Sequence, residues 1–117
     1  MVATTVLLMA RPDLGDMEHL VLLAILRLGA EAYGIPILDE VCARSGRDVS
    51  RATVYVALKR LEQKGLVTSR LGDSTPERGG RAKRFFTLKA SGLKALRESR
   101  EMFLGLWRDY ETILDRG

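Results

Sequence analysis

The segment that decides the fold is SRATVYVALKRLEQKG, residues 50–65. Ser50 is a typical N-cap and Gly65 a typical residue after a helix end, so the segment predicts a helix from Arg51 to about Lys64. At 100° per residue its larger apolar side chains share one face, as expected for packing into a core. These residues are Val54, Leu58 and Leu61. The opposite face is polar and basic, which predicts a surface helix that turns its charges outward.

The outward face of this helix carries residue types that suit nucleic acid. Arg51 and Thr53 lie at its N-terminal end, where backbone N–H groups and the helix dipole favour an anion. Arg and Lys side chains donate to guanine, and Val and Thr methyl groups contact thymine. We therefore expect these residues to face the major groove of DNA, with Tyr55 to one side as a phosphate contact: Arg51, Thr53, Val56, Lys59 and Arg60.

Two helices are predicted before this segment. Apolar residues recur at three- and four-residue spacing from Asp13 or Asp16 to about Leu28. A shorter helix follows Tyr33-Gly34 and ends at Ser45-Gly46. The lone cysteine of this shorter helix, Cys42, is expected to be a small core residue.

A β-hairpin is predicted after the segment. Residues 66–71 and 81–88 alternate in polarity and flank a stretch rich in glycine. Helix, helix, polar-faced helix and basic hairpin is the element order of a winged helix-turn-helix, whose third helix enters the major groove. The predicted fold class is thus mainly α with a small β-hairpin (α+β), extended by a long C-terminal dimerisation helix.

Positive charge concentrates in the third helix and the hairpin. Residues 49–89 contain ten basic and three acidic side chains, whereas the whole chain carries only +4. Segregation of this kind is typical of a surface that meets a polyanion. The basic side chains of the hairpin are expected to hold the DNA backbone and set register rather than read bases. They are Arg78, Arg81, Lys83 and Arg84.

The segment from Ser91 to about Arg116 predicts one long helix, about 40 Å in length, that so small a domain cannot cover. Apolar and aromatic residues, with Arg100 as the one charged exception, recur at alternating spacings of three and four, as in a coiled coil. We expect the cover to be the same helix, or the arm and first helix, of a second copy in a two-fold dimer. The predicted dimer interface is Leu93, Leu96, Arg100, Phe103, Trp107, Tyr110 and Leu114.

Length and composition exclude several other classes. The 117 residues suit one domain, which we divide into an arm at 1–12, a winged helix at 13–89 and a dimerisation helix at 90–117. The single cysteine excludes an internal disulfide and a zinc-finger ligand set. Because no secretory signal or membrane span is found, a cytoplasmic location is expected. His19 has no motif-placed partner, so we expect a surface or interface role for it and predict no enzyme, metal site or cofactor.

The sequence resembles the PadR-like transcriptional regulators over about residues 14–95. The resemblance rests on LVLLAIL at 20–26, AYG at 32–34, and VY at 54–55 followed by LKRLEQKGLV at 58–67. The hairpin adds PERGGR at 76–81, which leads into KRFF at 83–86. The resemblance implies a dimeric repressor that binds a palindromic operator in double-stranded DNA through the third helix and the wing. It also implies dimerisation through the C-terminal helix and relief of repression by a small aromatic or drug-like effector.

This sequence departs from the family pattern at two positions, and an alternative function remains open. Pro36 replaces a usual polar residue, and Lys89 replaces a usual Thr at the start of the last helix, so Ser91 is expected to cap that helix instead. By analogy with the short subgroup of the family, the candidate effector site is Phe103, Trp107 and Tyr110, although such rings are also common in ordinary cores. The alternative function is a winged-helix interaction module whose basic face binds an acidic protein.

Overall fold

The structure is a computed structural model that describes residues 14–72, 82–108 and 110–116. The predicted N-terminal arm lies outside these residues. A 3-10 turn, Gly29–Glu31, separates the first two helices. The elements are α1 Asp16–Leu28, α2 Gly34–Ser45, α3 Arg51–Gln63, β1 Val67–Leu71, β2 Arg84–Leu88, α4 Ala90–Arg108 and α5 Glu111–Arg116. This order confirms the predicted fold class, mainly α with a β-hairpin.

Local signals explain where α2 ends and where α3 begins and ends. The Ser50 hydroxyl accepts a hydrogen bond from the Thr53 N–H at 3.1 Å, which confirms Ser50 as the N-cap of α3. Gly46 follows α2 in the left-handed conformation, at φ 69°, and its N–H bonds the Cys42 carbonyl. Gly65 has φ 74°. This conformation favours glycine and reverses the chain from α3 toward β1.

The core lies between the three helices, the base of the hairpin and the first half of α4. Its fully buried side chains include Leu22, Ile37, Leu58, Leu61 and Leu66. Phe86 and Leu96 close the core from the hairpin and from α4. Cys42, expected in the core, is only half-buried, and its thiol lies 3.6 Å from the Val49 carbonyl. Burial of one face on each element holds the outward face of α3 at the surface.

The hairpin forms the wing predicted from the sequence. β1 and β2 pair in antiparallel register from Val67 with Leu88 to Leu71 with Arg84. β2 begins three residues later than expected, at Arg84. Tyr33 forms an isolated antiparallel bridge to Phe85, and the Phe86 N–H donates to the Ala32 carbonyl at 2.8 Å. The segment before α2 therefore lies beside β2 and is joined to it by this single bridge.

The prediction of one helix from Ser91 to Arg116 is wrong. α4 ends at Arg108, and α5 starts at Glu111. The Tyr110 N–H donates to the Trp107 carbonyl at 2.9 Å. This bond spans three residues rather than four, so the helix tightens into a turn there. Within the residues described, no helix is long and apolar enough to cross a membrane.

The prediction that Ser91 caps the last helix is also wrong. The Lys89 carbonyl accepts the first helical bond, from the Leu93 N–H at 3.1 Å, which puts the start of α4 at Ala90. The Ser91 hydroxyl donates instead to the Gly65 carbonyl at 2.6 Å. A tertiary partner thus takes the hydroxyl that the sequence pattern assigns to a cap.

Candidate nucleic-acid interface

The outward face of α3 is exposed as the spacing predicts. Arg51 and Thr53 lie at the capped N-terminal end, and the aliphatic side chain of Val56 is 50% exposed. Lys59 and Arg60 continue this face along the helix and are exposed. The structure therefore brings together the five residues expected to face the groove on one accessible surface of one rigid helix.

A shallow depression of about 430 Å³ lies beside this face, between α3 and the start of α1. Thr53, Val56 and Arg60 form its α3 side, and Met17 and Glu18 belong to its α1 side. The Glu18 carboxylate is 9% exposed and accepts from the Lys64 ammonium at 2.6 Å and from the Gly15 N–H at 3.2 Å. This ion pair links the start of α1 to the end of α3 and so helps to hold the exposed face in place.

The side chain of Tyr55 extends from α3 to the start of α2. A Cβ atom added to Gly34 would lie 2.6 Å from the Tyr55 hydroxyl, so the tyrosine packs closely over the first residue of α2. The residue as a whole remains 45% exposed. Its hydroxyl therefore lies at the N-terminal end of α2, where backbone N–H groups also point outward.

Two of the four predicted wing contacts, Lys83 and Arg84, lie among the described residues and have different partners. The Lys83 ammonium lies 3.6 Å from the centre of the Tyr33 ring. The Arg84 guanidinium donates to the Ser69 hydroxyl at 3.0 Å, and that hydroxyl donates to the Glu62 carboxylate at 2.6 Å. Arg84 thereby connects the wing to α3. The other two predicted wing contacts, Arg78 and Arg81, lie outside the described residues.

Arg70 on β1 is a basic wing residue that sequence reasoning did not select. Its guanidinium carbon lies 5.1 Å from the centre of the Phe85 ring. The alternation of β1 and its pairing with Phe85 are the signals that place it. The alternation can be read from the sequence, but the pairing cannot be read before the hairpin register is known.

The residues predicted for the dimer interface divide into two groups. Leu96 is buried in the subunit's own core and Leu93 is half-buried, so the first turns of α4 pack within the subunit. Arg100 is exposed and pairs with Glu101 at 3.0 Å. The remaining four, Phe103, Trp107, Tyr110 and Leu114, are each between 43% and 59% exposed, as are Leu104 and Ile113.

His19 lies where α1 meets α4. Its Nδ1 atom is 3.4 Å from the Ser99 hydroxyl, and its ring centre is 6.1 Å from that of Phe103. The residue is half-buried. The histidine thus borders the exposed apolar surface of α4, in the surface or interface position that the sequence suggests.

A second apolar surface lies along α1. Leu20, Leu23 and Leu26 line a groove of about 350 Å³ between α1 and α2. The rim is charged, because Glu40 pairs with Arg27 at 3.1 Å and with Arg44 at 2.9 Å. Leu23 and Leu26 are about half exposed, so the subunit leaves apolar area uncovered here as well as on α4.

Comparison with known proteins agrees with the winged-helix fold. The model of the transcriptional regulator PadR-like family matches residues 22–98. A PadR family transcription regulator from Clostridium difficile has 26% identity and a TM-score of 0.66, over 87% of this chain and 97% of that one. One from Eggerthella lenta has 26% identity and a TM-score of 0.65, over 99% and 94%.

More distant structures agree in fold. A PadR-like transcriptional regulator from Bacillus cereus has 21% identity and a TM-score of 0.61, over 86% of this chain and 88% of that one. No curated protein matches the chain. Members of the matched family are transcription regulators and not enzymes. On the match to its family model, the chain belongs to the PadR-like family of transcriptional regulators.

Proposed function

We propose that this protein is a homodimeric repressor that binds a palindromic operator through α3 and the wing. The observation that carries the proposal is the outward face of α3, where Arg51, Lys59 and Arg60 are exposed beside Thr53 and Val56. Cations reading guanine and methyl groups meeting thymine fit one face of a helix in the major groove. Lys83 and Arg84, with Arg78 and Arg81, would then hold the backbone on either side.

The proposed dimer follows from apolar area that the subunit does not cover. Phe103, Trp107 and Leu114 are about half exposed on α4 and α5, and Leu23 and Leu26 are about half exposed on α1. Exposed apolar surface of this extent marks an interaction site. A two-fold partner would cover both surfaces at once, because each subunit supplies the same two patches.

The proposed effector would bind at this interface. Phe103 and Trp107 lie on the last turns of α4, and Tyr110 lies in the turn that follows it, so three exposed aromatic side chains are close in sequence there. Aromatic rings stack flat aromatic ligands. A ligand held there in the dimer would act on the relative placement of the two subunits, and so on operator affinity.

The test of DNA binding compares the protein's affinity for the DNA upstream of its own gene with its affinity for random duplex DNA, at near-physiological salt. A specific site is expected to bind about 1,000-fold or more tightly than random DNA. Arg51→Ala and Lys59→Ala are each expected to lower specific affinity by about 1 to 3 kcal/mol with little effect on random DNA. Lys94→Ala, which removes the same charge from an exposed position on α4, is the matched control. Absence of binding even at low salt would favour the acidic-partner module instead.

A further inference from the structure

A row of side chains crosses the outer face of the wing sheet. Tyr33 pairs with Phe85 through the isolated bridge, and Phe85 pairs with Arg70 between β2 and β1. Directly paired residues project from the same face of a sheet. Val67 and Phe86, on the alternate positions, are buried, so this row lies on the face away from the core.

The row consists of two neighbouring aromatic rings with a cation on either side. Tyr33 and Phe85 meet edge to face, with ring centres 5.3 Å apart at 63°. The Arg70 guanidinium lies 5.1 Å from Phe85, and the Lys83 ammonium lies 3.6 Å from Tyr33. Both distances are within the range of an attractive cation–π contact. Two long, charged side chains are thus held at fixed positions on an otherwise solvated face.

Neither cation is neutralised among the residues that the structure describes. The ion pairs among these residues join other side chains, and within the same residues the partners found for the Arg70 and Lys83 charges are the two rings. A stacked guanidinium keeps its N–H groups at the edge of its plane, and an ammonium keeps three donors. Both cations therefore retain donors for a further acceptor. Arg84 differs, because Ser69 takes one of its donors.

The row adjoins α3. Tyr33 precedes Gly34, over which the Tyr55 hydroxyl of α3 lies. A DNA duplex that meets Tyr55 would therefore pass close to the end of the row. Holding these side chains in place before binding reduces the ordering that DNA would otherwise impose on them.

We propose that Arg70 and Lys83 are DNA phosphate contacts preorganised by Phe85 and Tyr33, which act as positioning residues. This inference rests on the proposed DNA-binding function. It assigns Arg70 to the binding surface, and it gives the aromatic pair of the wing a role besides packing. The contacts are with the backbone, so they would strengthen binding to every sequence alike.

The experiment measures affinity for operator and random duplex between 50 and 200 mM salt. Each phosphate contact contributes about 0.9 to the slope of log K against log salt, or about 3.5-fold in affinity over this range. Arg70→Ala is expected to lower the slope by about 0.9 on both duplexes, and Arg70→Lys to retain most of it. Arg97→Ala on α4 is the control for charge, expected to leave the slope unchanged. A slope for Arg70→Ala equal to that of the wild type overturns the proposal while DNA binding stands.

A double-mutant cycle tests the positioning role of Phe85. Phe85→Leu keeps both charges, so it is expected to weaken binding several-fold with little change in slope. In the Arg70→Ala background the same substitution is expected to have a smaller effect, because the side chain it positions is absent. Equal effects in both backgrounds would overturn the positioning role. A wild-type protein without salt-dependent DNA binding would overturn the proposed function itself, and this inference with it.

Discussion

Gly92→Ala tests whether α4 crosses the end of α3 as closely as the structure shows. A Cβ atom at Gly92 would overlap the Leu66 carbonyl oxygen and would lie 2.9 Å from Leu88 Cδ2. That carbonyl cannot turn away easily, because it accepts the Lys89 N–H at 3.0 Å. Overpacking costs about 1–3 kcal/mol, and the gain in helix propensity from Gly to Ala offsets about 0.5–1 kcal/mol. These ranges span a net loss of about 0–2.5 kcal/mol, and we expect about 1 kcal/mol.

Gly105→Ala is the matched control on the same helix. A Cβ atom at Gly105 meets nothing within 4 Å, so only the propensity gain remains. The two variants are thus expected to change stability in opposite directions. Urea unfolding at one protein concentration measures both, because the stability of an oligomer depends on concentration. If Gly92→Ala proves as stable as Gly105→Ala, the close approach of α4 to Leu66 is refuted.

Three further predictions concern α3 and the proposed dimer. Ser50→Ala removes the N-cap bond of α3 and is expected to lower the free energy of unfolding by about 1 kcal/mol in urea titrations. Lys64→Met leaves the nearly buried Glu18 carboxylate without its ammonium, so it should destabilise by about 2 kcal/mol. Glu18→Gln should cost less, since the Lys64 side chain is 31% exposed and can hydrate; equal losses would contradict this. Trp107→Ala is expected to weaken self-association at least about 10-fold in sedimentation experiments, and an unchanged dimer would contradict the proposed interface.

The sequence predicts the parts of the fold that depend on local chemistry. Ser50 and Gly65 bound α3 because capping and left-handed turns require particular residues nearby in the chain. The buried face of α3 follows from spacing alone, as Leu58 and Leu61 show. The same spacing predicts the outward, basic face, because that face consists of the α3 residues that do not pack into the core. Local rules therefore suffice for the helix-turn-helix and its candidate DNA-binding face.

Features that depend on tertiary partners could not be predicted. Ser91 has the right residue type for a cap, but the Gly65 carbonyl takes its hydroxyl. The residues of α4 read as one interface stripe, yet Leu96 belongs to the subunit's core. The pairing of Arg70 with Phe85 depends on hairpin register, and the twelve residues between Leu71 and Arg84 are too many for a two-residue turn to fix that register. In each case the deciding partner is distant in sequence or depends on register.

Two hydrogen bonds join the start of α4 to the residues that directly follow α3. The Ser91 hydroxyl bonds the Gly65 carbonyl, and the Lys89 N–H bonds the Leu66 carbonyl directly after α3. Gly92 packs against the same turn. α4 therefore cannot tilt without moving the end of α3 or breaking these contacts. If two subunits pair through α4, that pairing fixes the separation of their two α3 helices, which the half-site spacing of an operator must match.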